Sequence, residues 1–204
     1  MPGKGQAIPW KRQSKEIFQV NGYKRLTPQA EALVRQIRDR AKHLYVTRQM
    51  LCAEAIMVTL NQSLEGGLTK EQAIAMAAPF SVAMGGSGCV CGALSGAVMG
   101  CGLILGSTSR SSRAGRGHAR TLHDAFKAAH GATCCRVITR KVKQDPKAHF
   151  QQCAEVTAQT AEMAARLILS QRPELVSEKD FFPMQESKVS FNLIRLLGFF
   201  QGKS

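Results

Sequence analysis

A chain of 204 residues with 44% hydrophobic residues can bury a core without crosslinks, so its seven cysteines are not needed as staples. The formal net charge of +14 favours polyanions or acidic proteins as partners and says nothing about fold. The opening MPGKGQAIPWKRQSKEIF lacks the apolar stretch and small-residue cleavage site of a secretory leader, which makes the reducing cytoplasm the expected compartment. There, cysteines are more often redox thiols, metal ligands or buried residues than structural disulfides.

Residues 1–26 are polar and basic, show no sustained period, and read as an arm with Trp10, Ile17 and Phe18 as its ordering residues. Thr27-Pro28, a cap followed by proline, opens the first strong helix, with Leu33, Ile37, Ala41 and Leu44 on one face. A second helix is expected from about Arg48 to Leu64, ending at Gly66-Gly67. Thr69 with Gln72 forms a capping box for a third, which stops before Pro79. Ser81 to Gly88 reads as a tight glycine-rich loop, and an apolar helix follows from Cys91 to about Leu105. After Gly106, the run SSRAGRGHAR reads as a basic loop. Further helices are expected at about Leu122 to Ala129, Cys134 to Lys143 and Ala148 to Leu169, and the tail run FNLIRLLGFF suits a short docking helix.

No convincing alternating strand pattern occurs. The expected fold is therefore all-α: a single compact helical bundle over residues 27–170 with a buried Gly/Cys-rich central helix, the basic arm before it, and a C-terminal extension over residues 171–204. No Asp, Glu, Lys or Arg lies between Glu71 and Arg110, but Pro79 and Gly85-Gly86-Ser87-Gly88 interrupt that run, so no transmembrane segment is expected. Gly92, Gly96 and Gly100 recur every four residues, a flat strip on which a neighbouring helix backbone can approach closely.

Cys91 follows a glycine loop at the start of a helix, where free amides and the helix dipole favour a thiolate. A metal ligand uses the same deprotonated sulfur, and a small buried residue suits the same position. Cys91-Gly92-Ala93-Leu94-Ser95-Gly96 resembles the CGAxxG signature of a redox-active protein family defined by four cysteines. The remaining pattern is similar: Cys52-Ala53 matches the family's earlier cysteine, Cys135-Arg136 its Cys-Arg pair after a glycine turn, and Cys153 the cysteine near the start of the last long helix. The resemblance spans roughly Leu44 to Leu169.

The resemblance implies a helical domain in which Cys52, Cys91, Cys135 and Cys153 cluster for electron transfer or thiol–disulfide exchange. Split-Soret cytochromes are similar in this domain and add haem and an iron–sulfur centre. The chain has no CxxCH motif, so covalent haem is not expected, whereas an iron–sulfur cluster on those four thiols is a candidate cofactor. The short CxxC runs of zinc and ferredoxin sites are missing, so any site must be assembled by the fold. Cys89, Cys101 and Cys134 are additional to the family's four: Cys89 and Cys134 are candidate resolving thiols or substitute ligands, and Cys101 reads as core.

His130, just before the Gly131 turn, is placed to tune a thiolate, although packed or solvated histidine is the commoner role. The basic residues Arg110, Arg113, Arg116, His118 and Arg120, with Arg136, Arg140, Lys141 and Lys143, form a candidate patch. An acidic redox protein is the favoured partner and a second copy of the chain another. Nucleic acid is disfavoured, because no recognised binding fold occurs and aromatic residues are few. The competing reading is a basic binding module for an anionic partner with structural cysteines. Whether the protein is an enzyme is left open by the sequence.

Overall fold

A computed structural model describes residues 10–21, 23–106 and 112–176. Among them the secondary structure is entirely helical: α1 (Trp10–Val20), α2 (Pro28–Val46), α3 (Cys52–Ser63), α4 (Lys70–Ala77), α5 (Ser81–Gly86), α6 (Gly92–Gly106), α7 (Ser112–His130), α8 (Cys135–Ile138) and α9 (Pro146–Gln171), with 3₁₀ turns at Ala78–Phe80 and Pro173–Leu175. The caps follow from side-chain chemistry. Thr27 Oγ1 accepts from the Ala30 N–H, Thr69 and Gln72 bond each other's backbone N–H groups, and Asp145 accepts from the Lys147 and Ala148 N–H groups ahead of Pro146.

The apolar helix α6 runs through the middle, packed on α3, α7 and α9, while α2 lies along α9. Val34, Ile37, Ile56, Leu60, Ile104, Leu122, Phe126, Met163 and Ile168 fill the core between them. A smaller cluster of Met50, Ala53, Met57, Val58, Ala73 and Ala77 seals α4 against α3. The glycine strip of α6 packs closely on α3, backbone to backbone at Gly96. A Cβ on Gly96 would stand 2.6 Å from the Ala53 carbonyl oxygen, and one on Gly100 would stand 2.6 Å from Leu60 Cδ1. No helix among the described residues is long and apolar enough to cross a membrane.

Several expectations need correction. Residues 10–20 of the arm form a helix, with Ser14, Ile17 and Phe18 buried and Trp10 Nε1 donating to Glu162 at 2.9 Å. Arg166 secures this end: it pairs in bidentate fashion with Glu31 at 2.6 and 2.8 Å, bonds Glu162, and lies over the Phe18 ring. The second helix starts at Cys52 instead of Arg48, because the chain turns at Arg48 with φ +58°. The loop expected at Ser81 to Gly88 contains a left-handed turn, with Val82, Ala83, Met84 and Gly85 all at positive φ. The basic run expected as a loop is helical from Ser112, so Arg113, Arg116, His118 and Arg120 sit on α7. The helix expected from Cys134 to Lys143 is a single turn, Cys135–Ile138. Arg110 and the FNLIRLLGFF run lie outside the described residues.

Two substitutions test the α3–α6 contact in urea unfolding. Gly96→Ala should lower stability by about 1–3 kcal/mol, because its methyl meets backbone that cannot rotate away. Gly102→Ala, on the same helix with nothing within 4 Å, should raise stability by about 1 kcal/mol through helix propensity.

Candidate functional site

Three of the cysteines stand where helices begin. Cys52 is the first residue of α3, Cys91 immediately precedes α6, and Cys135 is the first residue of α8. Each sulfur is thus beside backbone N–H groups that have no helical carbonyl to bond. The fourth, Cys153, lies in the second turn of α9. The packing of α6 on α3 sets their approach: a Cβ on Gly92 would lie 2.7 Å from Cys52 Sγ and 2.7 Å from the Phe80 carbonyl, so only glycine fits between the sulfur and the turn leading to Ser81.

A backbone clamp brings the second half of the site to the first. Cys91 N–H donates to the Thr133 carbonyl at 2.8 Å, and Arg136 N–H donates to the Gly88 carbonyl at 3.1 Å. The Arg136 guanidinium donates to the Ser87 carbonyl at 2.7 Å. Cys89 and Cys134 are joined as a disulfide, with their α-carbons 4.4 Å apart. Cys89 and Cys134, read from the sequence as candidate resolving thiols or substitute ligands, are thus paired with each other, and their crosslink binds the two loops that carry Cys91 and Cys135.

Within this frame Cys91 and Cys135 influence each other's ionisation more than any other thiol does. Cys135 also interacts electrostatically with Cys52 and Cys153, and Cys52 does so with Cys91 and Cys153. The pair is asymmetric. The neighbouring Cys91 thiol lowers the Cys135 pKa to about 7, aided by the Gly92 and Cys135 N–H groups and opposed by burial. That same interaction and its burial hold Cys91 in the protonated form. Burial raises Cys52 against the Val82 and Ala53 N–H groups, and burial pushes Cys153 up to about 11.

Tyr45, at the end of α2, interacts with Cys153 and stacks on Phe150 with ring centroids 5.1 Å apart. Nothing in the sequence pointed to it, because the contact joins residues from opposite ends of the domain. Cys101 is buried in α6, with its thiol 3.9 Å from the Ala164 carbonyl, as its place in the apolar run suggested. His130 packs on the Phe126 ring; burial lowers its pKa to about 4, and its Nε2 has no hydrogen-bond partner. Arg136, assigned by sequence to a basic patch, instead closes the clamp.

Fold and site together define an all-helical protein with a partly buried group of thiols at three helix N-termini. The chain belongs to the family described as "Putative redox-active protein (C_GCAxxG_C_C)", whose model matches residues 50–167, more than half of the chain. That span contains every cysteine of the group and every segment of the clamp. No curated protein and no solved structure matches the chain.

The asymmetry of the pair is testable by alkylation with mass-spectrometric mapping. Iodoacetamide should modify Cys135 as pH rises through about 7, with the thiol protonated and protected below that, whereas Cys153 should need pH near 11. Cys91→Ala deletes the neighbouring thiol, so the Cys135 midpoint should move up toward that of an ordinary thiol near pH 8.5. An unmoved midpoint would contradict the assignment.

Proposed function

We propose that the protein carries out thiol–disulfide exchange, with Cys135 as attacking thiolate and Cys91 as resolving thiol. What supports this most is the backbone clamp that brings Cys91 and Cys135 together, with the lowered pKa of Cys135 beside it. The Cys135 thiolate attacks one sulfur of a substrate disulfide, forming a mixed disulfide and releasing the first substrate sulfur as a thiolate. Cys91 then gives up its proton and attacks Cys135 Sγ. The Cys91–Cys135 disulfide forms and the second substrate sulfur leaves as a thiolate. Two electrons pass from the protein pair to the substrate, and the two released thiolates take up protons, one of them equivalent to that lost by Cys91. An attacking thiol with a pKa near ambient pH is the most effective kind.

In this reading the Cys89–Cys134 disulfide holds the loops in register, and Cys52 and Cys153 stay protonated beside the reacting pair. An acidic redox partner would dock on the exposed basic side chains of α7, Arg113, Arg120 and Lys127. A second reading rests on the donor set: four thiols, three of them at helix N-termini, have the donor chemistry of an iron–sulfur centre, which would supply one-electron storage. No three His, Cys, Asp or Glu side chains among the described residues close on one metal ion, so no coordination geometry is assigned. Iron and acid-labile sulfide in anaerobically purified protein would favour this second reading.

Incubation with glutathione disulfide followed by intact-mass analysis tests exchange. Wild-type protein should gain a Cys91–Cys135 disulfide and keep no adduct. Cys91→Ser should trap one glutathione on Cys135, Cys135→Ser should react at least about a hundredfold more slowly, and Cys101→Ser should behave as wild type. Equal reactivity of the wild type and Cys135→Ser would remove the proposal.

A further inference from the structure

Beside the thiols, a cleft of about 440 Å³ opens between the end of α2, the start of α3 and the start of α9. Such a volume lies in the range of small-molecule sites. Tyr45, Arg48, Leu51, Glu54, His149 and Phe150 line it. Tyr45 is shared by the cleft and the thiol group, since it lines the one and interacts with Cys153, Cys52 and Cys135 of the other.

The polar groups of the cleft have opposite signs. The Arg48 guanidinium lies 5.1 Å from the Phe150 ring centroid and has no carboxylate partner among the described residues. Phe150 is already stacked by Tyr45, so the three groups form a layered wall with free guanidinium N–H donors at its edge. Arg48 sits at φ +58°, a conformation that glycine adopts freely and arginine does not. The local backbone thus gives no reason for an arginine at this position. Across the cleft, one Glu54 carboxylate oxygen accepts the Leu51 N–H at 2.9 Å, and Leu51 itself is 47% exposed. A cation for a carboxylate, a carboxylate for an ammonium and an apolar surface between them are thus all present.

We propose that this cleft binds a low-molecular-weight peptide thiol, or its disulfide, through a carboxylate on Arg48 and an ammonium on Glu54, with its sulfur directed at the Tyr45 wall. The proposal rests on the exchange reading of Cys91 and Cys135, since it names the substrate class of that centre. Arg48 and Glu54 touch the peptide ends and take no part in the chemistry.

Calorimetric titration of the full chain with glutathione disulfide separates the two claims when performed on a Cys91→Ser/Cys135→Ser double variant that cannot exchange. Saturable binding should persist in that background. Arg48→Gly should weaken it at least about tenfold, the loss expected for a charge-assisted hydrogen bond, while the thermal midpoint is held or raised by relief of the positive φ. Arg48→Gln, which keeps the stem over Phe150, should lose affinity comparably and serves as the second variant. Glutathione disulfide esterified at its carboxylates should bind the double variant as weakly as the free acid binds the Arg48→Gly protein. No saturable binding, or Arg48 variants that bind as tightly as the parent double variant, overturns the cleft assignment. Hydroxyethyl disulfide, which has neither charge, distinguishes the failures: if the wild type reduces it while glutathione disulfide does not bind, the dithiol stands and the cleft falls; if glutathione disulfide binds but neither disulfide is reduced, the exchange reading falls.

Discussion

The approach of α6 to α3 governs the whole site. Gly96 lets the two helix backbones touch, Gly92 leaves room for the Cys52 sulfur and Gly100 for the Leu60 side chain, so the helix starts that carry Cys52 and Cys91 arrive together. The contact is steric before it is chemical. With the Gly92 Cβ position already within 2.7 Å of Cys52 Sγ, any larger residue would push the sulfur and the 78–81 turn away from α6. Small residues thus serve two purposes, close packing of the bundle and room for sulfur at its edge.

From that contact the electrostatics follow. Helix N-termini gather unpaired N–H groups around the thiols, and burial works against charge on every one of them. The outcome depends on which thiol receives more hydrogen bonds than it loses solvent. Cys135 is favoured as a thiolate by the Cys91 thiol and by two backbone groups, whereas Cys52, Cys91 and Cys153 have burial or a neighbouring thiol holding them neutral. One thiolate among several protonated neighbours would suit the proposed sulfur exchange, since the thiolate is the nucleophilic form.

Much of the scaffold was legible in the sequence. Thr27-Pro28, the Thr69 capping box, the apolar run after Cys91 and the Gly92-Gly96-Gly100 strip each have a local physical cause, and each appears in the structure. Misreadings fell where long-range packing overrides composition. Glycines and arginines made the run after Ser111 look like a loop, yet Leu122, Ala125 and Phe126 pull that segment onto α6 as helix α7. Residues 10–20 carry few apolar side chains, and their order depends on Glu162 and Arg166 some 150 residues away in the chain. At the site, the cysteine pattern suggested a gathering of sulfurs. The Cys89–Cys134 crosslink, the Cys91 to Thr133 bond and the Tyr45 contact carry no local signature, because each joins segments that only the folded bundle brings together.

The central claim is that Cys91 and Cys135 form one two-electron couple within a frame held by Cys89 and Cys134. It is tested most directly by equilibrating the protein in glutathione buffers of graded potential, quenching with acid, and mapping every disulfide by mass spectrometry. The account predicts that a Cys91–Cys135 disulfide appears and disappears reversibly, its oxidised-to-reduced ratio changing tenfold per about 30 mV. Persistence of both residues as free thiols at every potential, or their pairing with other cysteines, would contradict it.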